Sequence, residues 1–139
     1  MTLHLRHARP SDASWLLEWR NDPATRLASI SEAEVDAESH EAWLLKAIAG
    51  AGRTLLIAET DRPVGVVRLD FGDSTEMSWT VAPEARGQGI GLQMVRAALP
   101  SGRVFACIKS ENIPSQRIAA GAGFTLLSDG RLQRWERAG

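Results

Sequence analysis

The chain has a single cysteine, Cys107, and no tyrosine at all. One thiol excludes an internal disulfide and a cysteine-rich zinc site, and its place in the strand-like run 104–108 favours a buried, inert group. Without tyrosine, no phenol is on hand to donate a proton. No apolar run is long enough to span a bilayer, and the opening Met1-Thr2-Leu3-His4-Leu5-Arg6-His7 lacks the apolar centre of a signal peptide. Neither sign of charge dominates: the net charge is −1, with acids and bases spread along the chain. That removes an electrostatic nucleic-acid footprint and a polybasic membrane patch. The expectation is a cytoplasmic protein with neither nucleic acid, membrane nor metal as a partner.

What is present suffices for a core. With 139 residues and 44% hydrophobic content, the chain is expected to fold as one domain, 1–139. Residues 3–9 read as a first strand. Pro10-Ser11-Asp12 supplies cap chemistry for a helix on which Trp15 and Trp19 share a face, and Asn21-Asp22-Pro23 ends it. A polar, less regular segment runs to about Asp36. Residues 37–49 then read as a second helix, starting either at a Ser31-x-x-Glu34 capping box or at Asp36 and ending at Gly50-Ala51-Gly52. Residues 54–59 and 64–70 form a predicted hairpin through Asp61-Arg62-Pro63, with 76–81 as a third antiparallel partner. Beyond a further helix come a strand at 104–108, a short helix at 115–120 and a closing hairpin, 125–127 and 132–135, across Ser128-Asp129-Gly130. The order β-α-α-β-β-β-α-β-α-β-β is of the α/β class with a mixed sheet.

The stretch Arg86-Gly87-Gln88-Gly89-Ile90-Gly91 joins the third strand of that meander to a helix bearing Leu92, Val95, Ala98 and Leu99, which Pro100 stops. A strand that passes through glycines into a helix N-terminus leaves several N–H groups unpaired and pointing one way, and an anion fits there. The dinucleotide fingerprint G-x-G-x-x-G fails, because from Gly87 and Gly89 its third glycine falls on Leu92; Glu111, placed as a ribose-binding acid should be, does not offset that. The G-K-S/T of a Walker loop is missing. On spacing alone, an ordinary glycine-rich turn with no ligand stays open.

The turn resembles the acetyl-CoA loop of the GNAT acyltransferase superfamily, R/Q-x-x-G-x-G/A, with Arg86, Gly89 and Gly91 at its fixed positions. The downstream half of the family pattern also fits: the strand at 104–108, Asn112, the short helix and Gly123-Phe124 follow in order and spacing. The resemblance covers residues 64–124 with specific motifs and the rest more loosely. It implies a mixed, mostly antiparallel sheet whose central parallel strands splay apart, with the pantetheine arm of acetyl-CoA in the gap. Backbone groups of Trp79 and Val81 would pair with the arm, and an N–H near Val81 would polarise the thioester carbonyl. Arg86, Gly87, Gln88, Gly89, Ile90, Gly91 and Leu92 would wrap the pyrophosphate. Asn112 would meet the arm from the other side with Ser115 nearby, although a helix-capping hydroxyl is an equal reading of Ser115.

Direct acyl transfer needs an uncharged amine, yet a simple amine has a pKa of about 10.4 and is mostly protonated at neutral pH. Glu76, on the strand beside the thioester, is the first candidate base, acting directly or through one water. An exposed strand start is the bland alternative. His40 is the reserve base, by its ordinary pKa of about 6.5, against a solvated or capping histidine. Many family members carry a Tyr that protonates the leaving thiolate, and the count from Asn112 to Gly123-Phe124 puts Ala119 at that position. Water, Ser115 or another hydroxyl would then supply the proton, since a thiol with a pKa of about 8.5 leaves without much help. Otherwise the protein is a non-catalytic acyl-CoA sensor, or, if the glycine turn is incidental, a structural module.

For the acceptor, Trp19-Arg20-Asn21-Asp22 with Arg26 and Ser29, then His40-x-x-Trp43, is similar to GNAT members that acetylate amino sugars on nucleotide carriers. The same start occurs among members acting on protein N-terminal amines. The acceptor is thus expected to be a small-molecule amine, with Asn21 and Arg26 at its site and Arg26 on an acceptor phosphate; a solvated loop arginine is the rival reading. The tryptophan pair reads as core packing rather than a sugar platform. Exposed edges of such a sheet can pair two copies into a homodimer.

Overall fold

The computed structural model describes residues 2–50 and 52–138, so the middle of the break expected at Gly50-Ala51-Gly52 lies outside the described residues. Among those described, seven strands form one sheet: β1 (His4–His7), β2 (Arg53–Glu59), β3 (Pro63–Asp70), β4 (Thr75–Val81), β5 (Val104–Lys109), β6 (Thr125–Ser128) and β7 (Leu132–Arg137). Their order is β1-β2-β3-β4-β5-β7-β6. Every neighbouring pair is antiparallel except β4 and β5. The helices are α1 (Ala13–Asn21), α2 (Pro23–Ala28), α3 (Ala37–Ala49), α4 (Ile90–Ala98) and α5 (Ile113–Gly121). None is long and apolar enough to cross a membrane.

The alternation of strand side chains fills both faces of the sheet. Gly65, Val67 and Leu69 of β3 are buried on the face that takes α4, and Gly65 lies so close under Met94 that a Cβ there would overlap the Met94 sulfur. The buried stripe of α4, Ile90, Gly91, Met94, Val95 and Ala98, has helical spacing. On the opposite face α3 packs on β2, and its Leu44 and Ala47 join Leu55 and Ile57 in the core. Trp15 and Trp19 stack on α1 with centroids 4.5 Å apart, and Trp19 is buried in the core as its spacing suggests. Arg6 of β1 grips the buried Asp12 with two hydrogen bonds of 2.9 and 2.8 Å and Glu59 of β2 with one of 2.7 Å. Burial alone would raise the Asp12 pKa, but that fork and the Arg9 N–H hold it below the ordinary carboxylate value.

The structure departs from the sequence expectations in two places and decides between the two starts left open for α3. The segment read as irregular holds α2, because Asp22 caps it by accepting from Thr25 N at 3.1 Å and Pro23 takes its first turn. Asn21-Asp22-Pro23 therefore ends one helix and begins the next. The start of α3 falls at Asp36, whose carboxylate accepts from Ser39 N at 2.8 Å, and not at Ser31. The last hairpin is looser than its Asp-Gly suggests: residues 129–131 form the turn and the β6–β7 register shifts between Leu126 and Ser128.

Candidate active site

The parallel strands β4 and β5 pair only at Thr75–Val104 and Glu76–Phe105. Beyond Glu76 they part, and β4 keeps only its β3 neighbour. Thr75 N donates toward β5, to Arg103 O at 3.0 Å, while Ala82 N donates toward β3, to Val64 O at 2.8 Å. Alternation between those two points turns the peptide groups of Trp79 and Val81 toward the open gap. Two successive amide pairs thus line one wall, spaced for an extended, amide-bearing guest.

At the mouth of the gap, a 3-10 turn at Pro83–Ala85 leads into the glycine stretch. Gly87 and Gly89 both have φ of 77°, in the left-handed region, and Gly89 is the N-cap of α4 with no side-chain cap. The first N–H groups of α4 therefore have no partner within the helix and none from a cap. Gly87, Gln88 and Gly89 are exposed, whereas Ile90 and Gly91 are buried and Leu92 half-buried. A Cβ on Gly91 would overlap the Ile118 side chain of α5 and lie 3.3 Å from Val81, so this glycine brings α4, α5 and β4 together. The Leu92 side chain packs against Gly121, whose Cβ would lie 3.1 Å from it. Ile90, Gly91 and Leu92 therefore offer a ligand their amides and not their side chains.

The other wall is α5. Asn112 caps it, its Oδ1 accepting from Ser115 N at 3.2 Å. The Ser115 hydroxyl does not cap; it accepts from Trp79 Nε1 at 3.2 Å, and the Trp79 ring meets Phe124 edge-on at 6.3 Å. Trp79 thus bridges from β4 to α5 on one face of the sheet. Ala119 is fully buried behind it.

Glu76 projects on the opposite face from Trp79, opposite Asp70 of β3 and Phe105 of β5. It is half-buried. Beside it, burial and then the Glu76 charge push the Cys107 thiol up, so the half-buried cysteine stays protonated. His40 is buried on α3, neither solvated nor a cap, with its ring 5.7 Å from that of Trp43. Trp43 lies under Arg68 of β3, whose guanidinium carbon is 5.9 Å from the ring centre. Burial, then the Arg20 charge, lowers the His40 pKa and keeps it neutral. Among the described residues no hydrogen bond links Glu76, His40 and Ser115. Glu76 and Ser115 instead flank β4 from its two faces.

The expected acceptor residues serve the chain itself. Asn21 donates to Val35 O at 2.7 Å and accepts from Val35 N at 2.8 Å, and Arg26 Nε donates to Glu32 O at 3.0 Å. Arg86, expected on a pyrophosphate, donates to Asp22 Oδ2 at 3.0 Å and Thr25 Oγ1 at 2.8 Å. An open depression of about 460 Å³ beyond the end of β4 is lined by Trp15, Trp19, Asn21, Arg62, Pro63 and Pro83 among others.

The family model of the acetyltransferase (GNAT) domain matches residues 2–125. The chain belongs to that family. The GNAT fold is shared at nearly full length with solved structures. One is spermidine N-acetyltransferase from Vibrio cholerae in complex with CoA and spermine, at 18% identity and TM-score 0.88, covering 98% of this chain and 95% of that one. Another is ribosomal-protein-alanine N-acetyltransferase from Brucella melitensis, at 25% identity and TM-score 0.83, covering 97% and 99%. A third is the aminoglycoside acetyltransferase AAC(6′)-Ib in complex with coenzyme A and kanamycin, at 17% identity and TM-score 0.84, covering 99% and 95%. By sequence, no curated protein matches the chain.

Reading the GNAT motifs along the chain misses the side chains that tie residues 22–35 to the rest. Lys109, the last residue of β5, donates to Leu27 O at 2.9 Å and to Glu32 at 2.7 Å. The Asp22-Pro23-x-Thr25 pattern was a readable cap signal for α2. The pairing of Lys109 with residues 77 and 82 positions away leaves no mark in sequence spacing.

Proposed function

We propose that this GNAT domain transfers the acetyl group of acetyl-CoA directly to a primary amine. The observation that carries the reading is the parting of β4 and β5 beside an uncapped helix N-terminus. The peptide groups of Trp79 and Val81 hold the pantetheine arm, and an N–H near Val81 polarises the thioester carbonyl. The backbone from Arg86 through Gly87, Gln88, Gly89, Ile90 and Gly91 to Leu92 cradles the pyrophosphate, with Asn112 at the far wall. Glu76 takes the proton from the acceptor ammonium; the amine nitrogen then bonds to the carbonyl carbon as the carbon–sulfur bond breaks. The leaving thiolate takes a proton from water or from the Ser115 hydroxyl, whose oxygen already accepts from Trp79, and the second proton shed by the new amide nitrogen passes through solvent to restore that donor. His40, neutral and buried on α3, is the reserve base.

The acceptor is read as an amine class rather than an amino sugar, because Asn21 and Arg26 are spent on holding residues 32–35. A protein N-terminal amine is the second reading, supported by the 25% identity to the Brucella melitensis enzyme over 97% of the chain. Calorimetry with acetyl-CoA, followed by a thiol-release assay across spermidine, kanamycin and an alanine-initiated peptide, tests both. Binding with turnover of one of these supports the transferase. Binding without turnover of any amine supports an acyl-CoA sensor, and no binding sinks both.

A further inference from the structure

Two cations, one following β4 and one ending β5, tie residues 22–32 to the two sides of the β4–β5 gap. On the β4 side, Arg86 follows the end of the strand and reaches the α2 cap, donating to Asp22 Oδ2 at 3.0 Å and to Thr25 Oγ1 at 2.8 Å. Thr25 is buried, so this contact lies at the root of the segment. On the β5 side, Lys109 holds the far part, donating to Leu27 O at 2.9 Å and pairing with Glu32 at 2.7 Å. The Lys109 side chain is only 16% exposed. It shares a face of β5 with Phe105 and Cys107, hence with Glu76. Between those two anchors Arg26 ties the segment to itself through Glu32 O at 3.0 Å, and Arg20 of α1 holds Ser31 O at 2.9 Å. Leu27 and Ile30 stand exposed on it, at 65% and 70%.

We infer that Arg86 and Lys109 are positioning residues that bolt residues 22–32 across the mouth of the β4–β5 gap, forming the wall an amine passes on its way to Glu76. The inference rests on the transferase reading for its consequence in turnover, while the bolting itself does not. Neither cation touches the reacting atoms. Arg86, though it occupies a fixed position of the glycine motif, acts through Asp22 and Thr25, so the cofactor loop and the acceptor wall share one side chain. With both bolts in place the wall is pre-formed, which lowers the ordering cost of acceptor binding.

The test compares the wild type with Lys109→Met, Arg86→Met and the charge-swapped pair Lys109→Glu with Glu32→Lys. In the protein without ligand, amide hydrogen exchange of residues 23–32 should quicken about tenfold in each single variant, while the β2–β4 core keeps its wild-type rates. With whichever of spermidine, kanamycin or an alanine-initiated peptide the wild type acetylates, Lys109→Met should raise the amine KM about tenfold with kcat and acetyl-CoA affinity within about threefold. Lys109→Glu alone should cost at least as much as Lys109→Met, and adding Glu32→Lys should recover the share carried by the ion pair but not the bond to Leu27 O. Unchanged exchange in both single variants would overturn the bolting, and quickened exchange with an unchanged amine KM would overturn the positioning role. Loss of acetyl-CoA binding in Arg86→Met with exchange unaltered would make Arg86 a phosphate ligand instead. Failure of the wild type to bind acetyl-CoA overturns the transferase reading and leaves the exchange result to decide the bolts on its own.

Discussion

The two halves of the site are built by different means. The half proposed for the cofactor is backbone: peptide groups of Trp79 and Val81 facing a gap, left-handed glycines at 87 and 89, and the bare amides opening α4. The half proposed for the acceptor is side chain: Arg86, Lys109 and Asn21 lace residues 22–35 to the body, and Arg26 ties that segment to itself. A backbone site survives almost any change of side chain that leaves φ and strand pairing intact, whereas a laced wall can be rebuilt by a few substitutions. The fold itself is shared at 17–25% identity with acetyltransferases named for, or solved with, amines as unlike as spermidine, kanamycin and ribosomal-protein alanine.

The comparison breaks most sharply at the glycine loop. Gly89→Glu puts a carboxylate where an anion should sit and forces a side chain onto a left-handed residue, so acetyl-CoA affinity by calorimetry should fall at least about a hundredfold. Gly102→Glu is the control, because Gly102 also has positive φ (85°) and open space around it; it carries the same strain and should bind acetyl-CoA as the wild type does. Equal losses in both would mean that strain and not charge empties the site. The next largest effect belongs to the base. Glu76→Gln should lower kcat about a hundredfold or more with acetyl-CoA affinity nearly unchanged, and an unaltered pH–rate profile would remove Glu76 from that role.

A smaller effect probes the buried side of the acceptor half. The folded His40 pKa lies below its ordinary 6.5 because burial, then Arg20, disfavours the charged ring. The unfolded chain therefore binds more protons in the window below 6.5, and unfolding free energy should fall as pH drops through it. Denaturant titrations of His40→Gln should show a flatter acid limb, and a wild type that grows more stable as pH falls through 6.5 would contradict the neutral assignment. Smallest is Ser115→Ala, expected to slow kcat by less than about tenfold because water reaches an acidic thiol's leaving group. A loss above about a hundredfold in steady-state rates would make that hydroxyl indispensable.

The same division decides what could be read from the sequence. The α/β order, the glycine turn and the Asn112 to Gly123-Phe124 spacing are local patterns, and each stands in the structure at or near its expected place. The parting of β4 from β5 was expected only by resemblance, since nothing local in 76–81 says where pairing stops. Residues 22–36 were harder. Asp22 both ends α1 and caps α2, and a residue serving two helices looks like a plain break. Asn21 and Arg26 are polar residues in a loop, and sequence alone does not say whether such groups face a ligand or the chain's own carbonyls. His40 looked solvated because histidine at an exposed helix start is ordinary, yet it is buried with its ring beside Trp43.

The most direct test is the crystal structure of the complex with acetyl-CoA. The pantetheine arm should lie between β4 and β5 with its amides paired to the peptide groups of Trp79 and Val81, the pyrophosphate on the amides of residues 87–92 and the thioester within reach of Glu76. An arm bound elsewhere, or a gap closed by continued β4–β5 pairing with the cofactor absent at saturating concentration, would contradict the account.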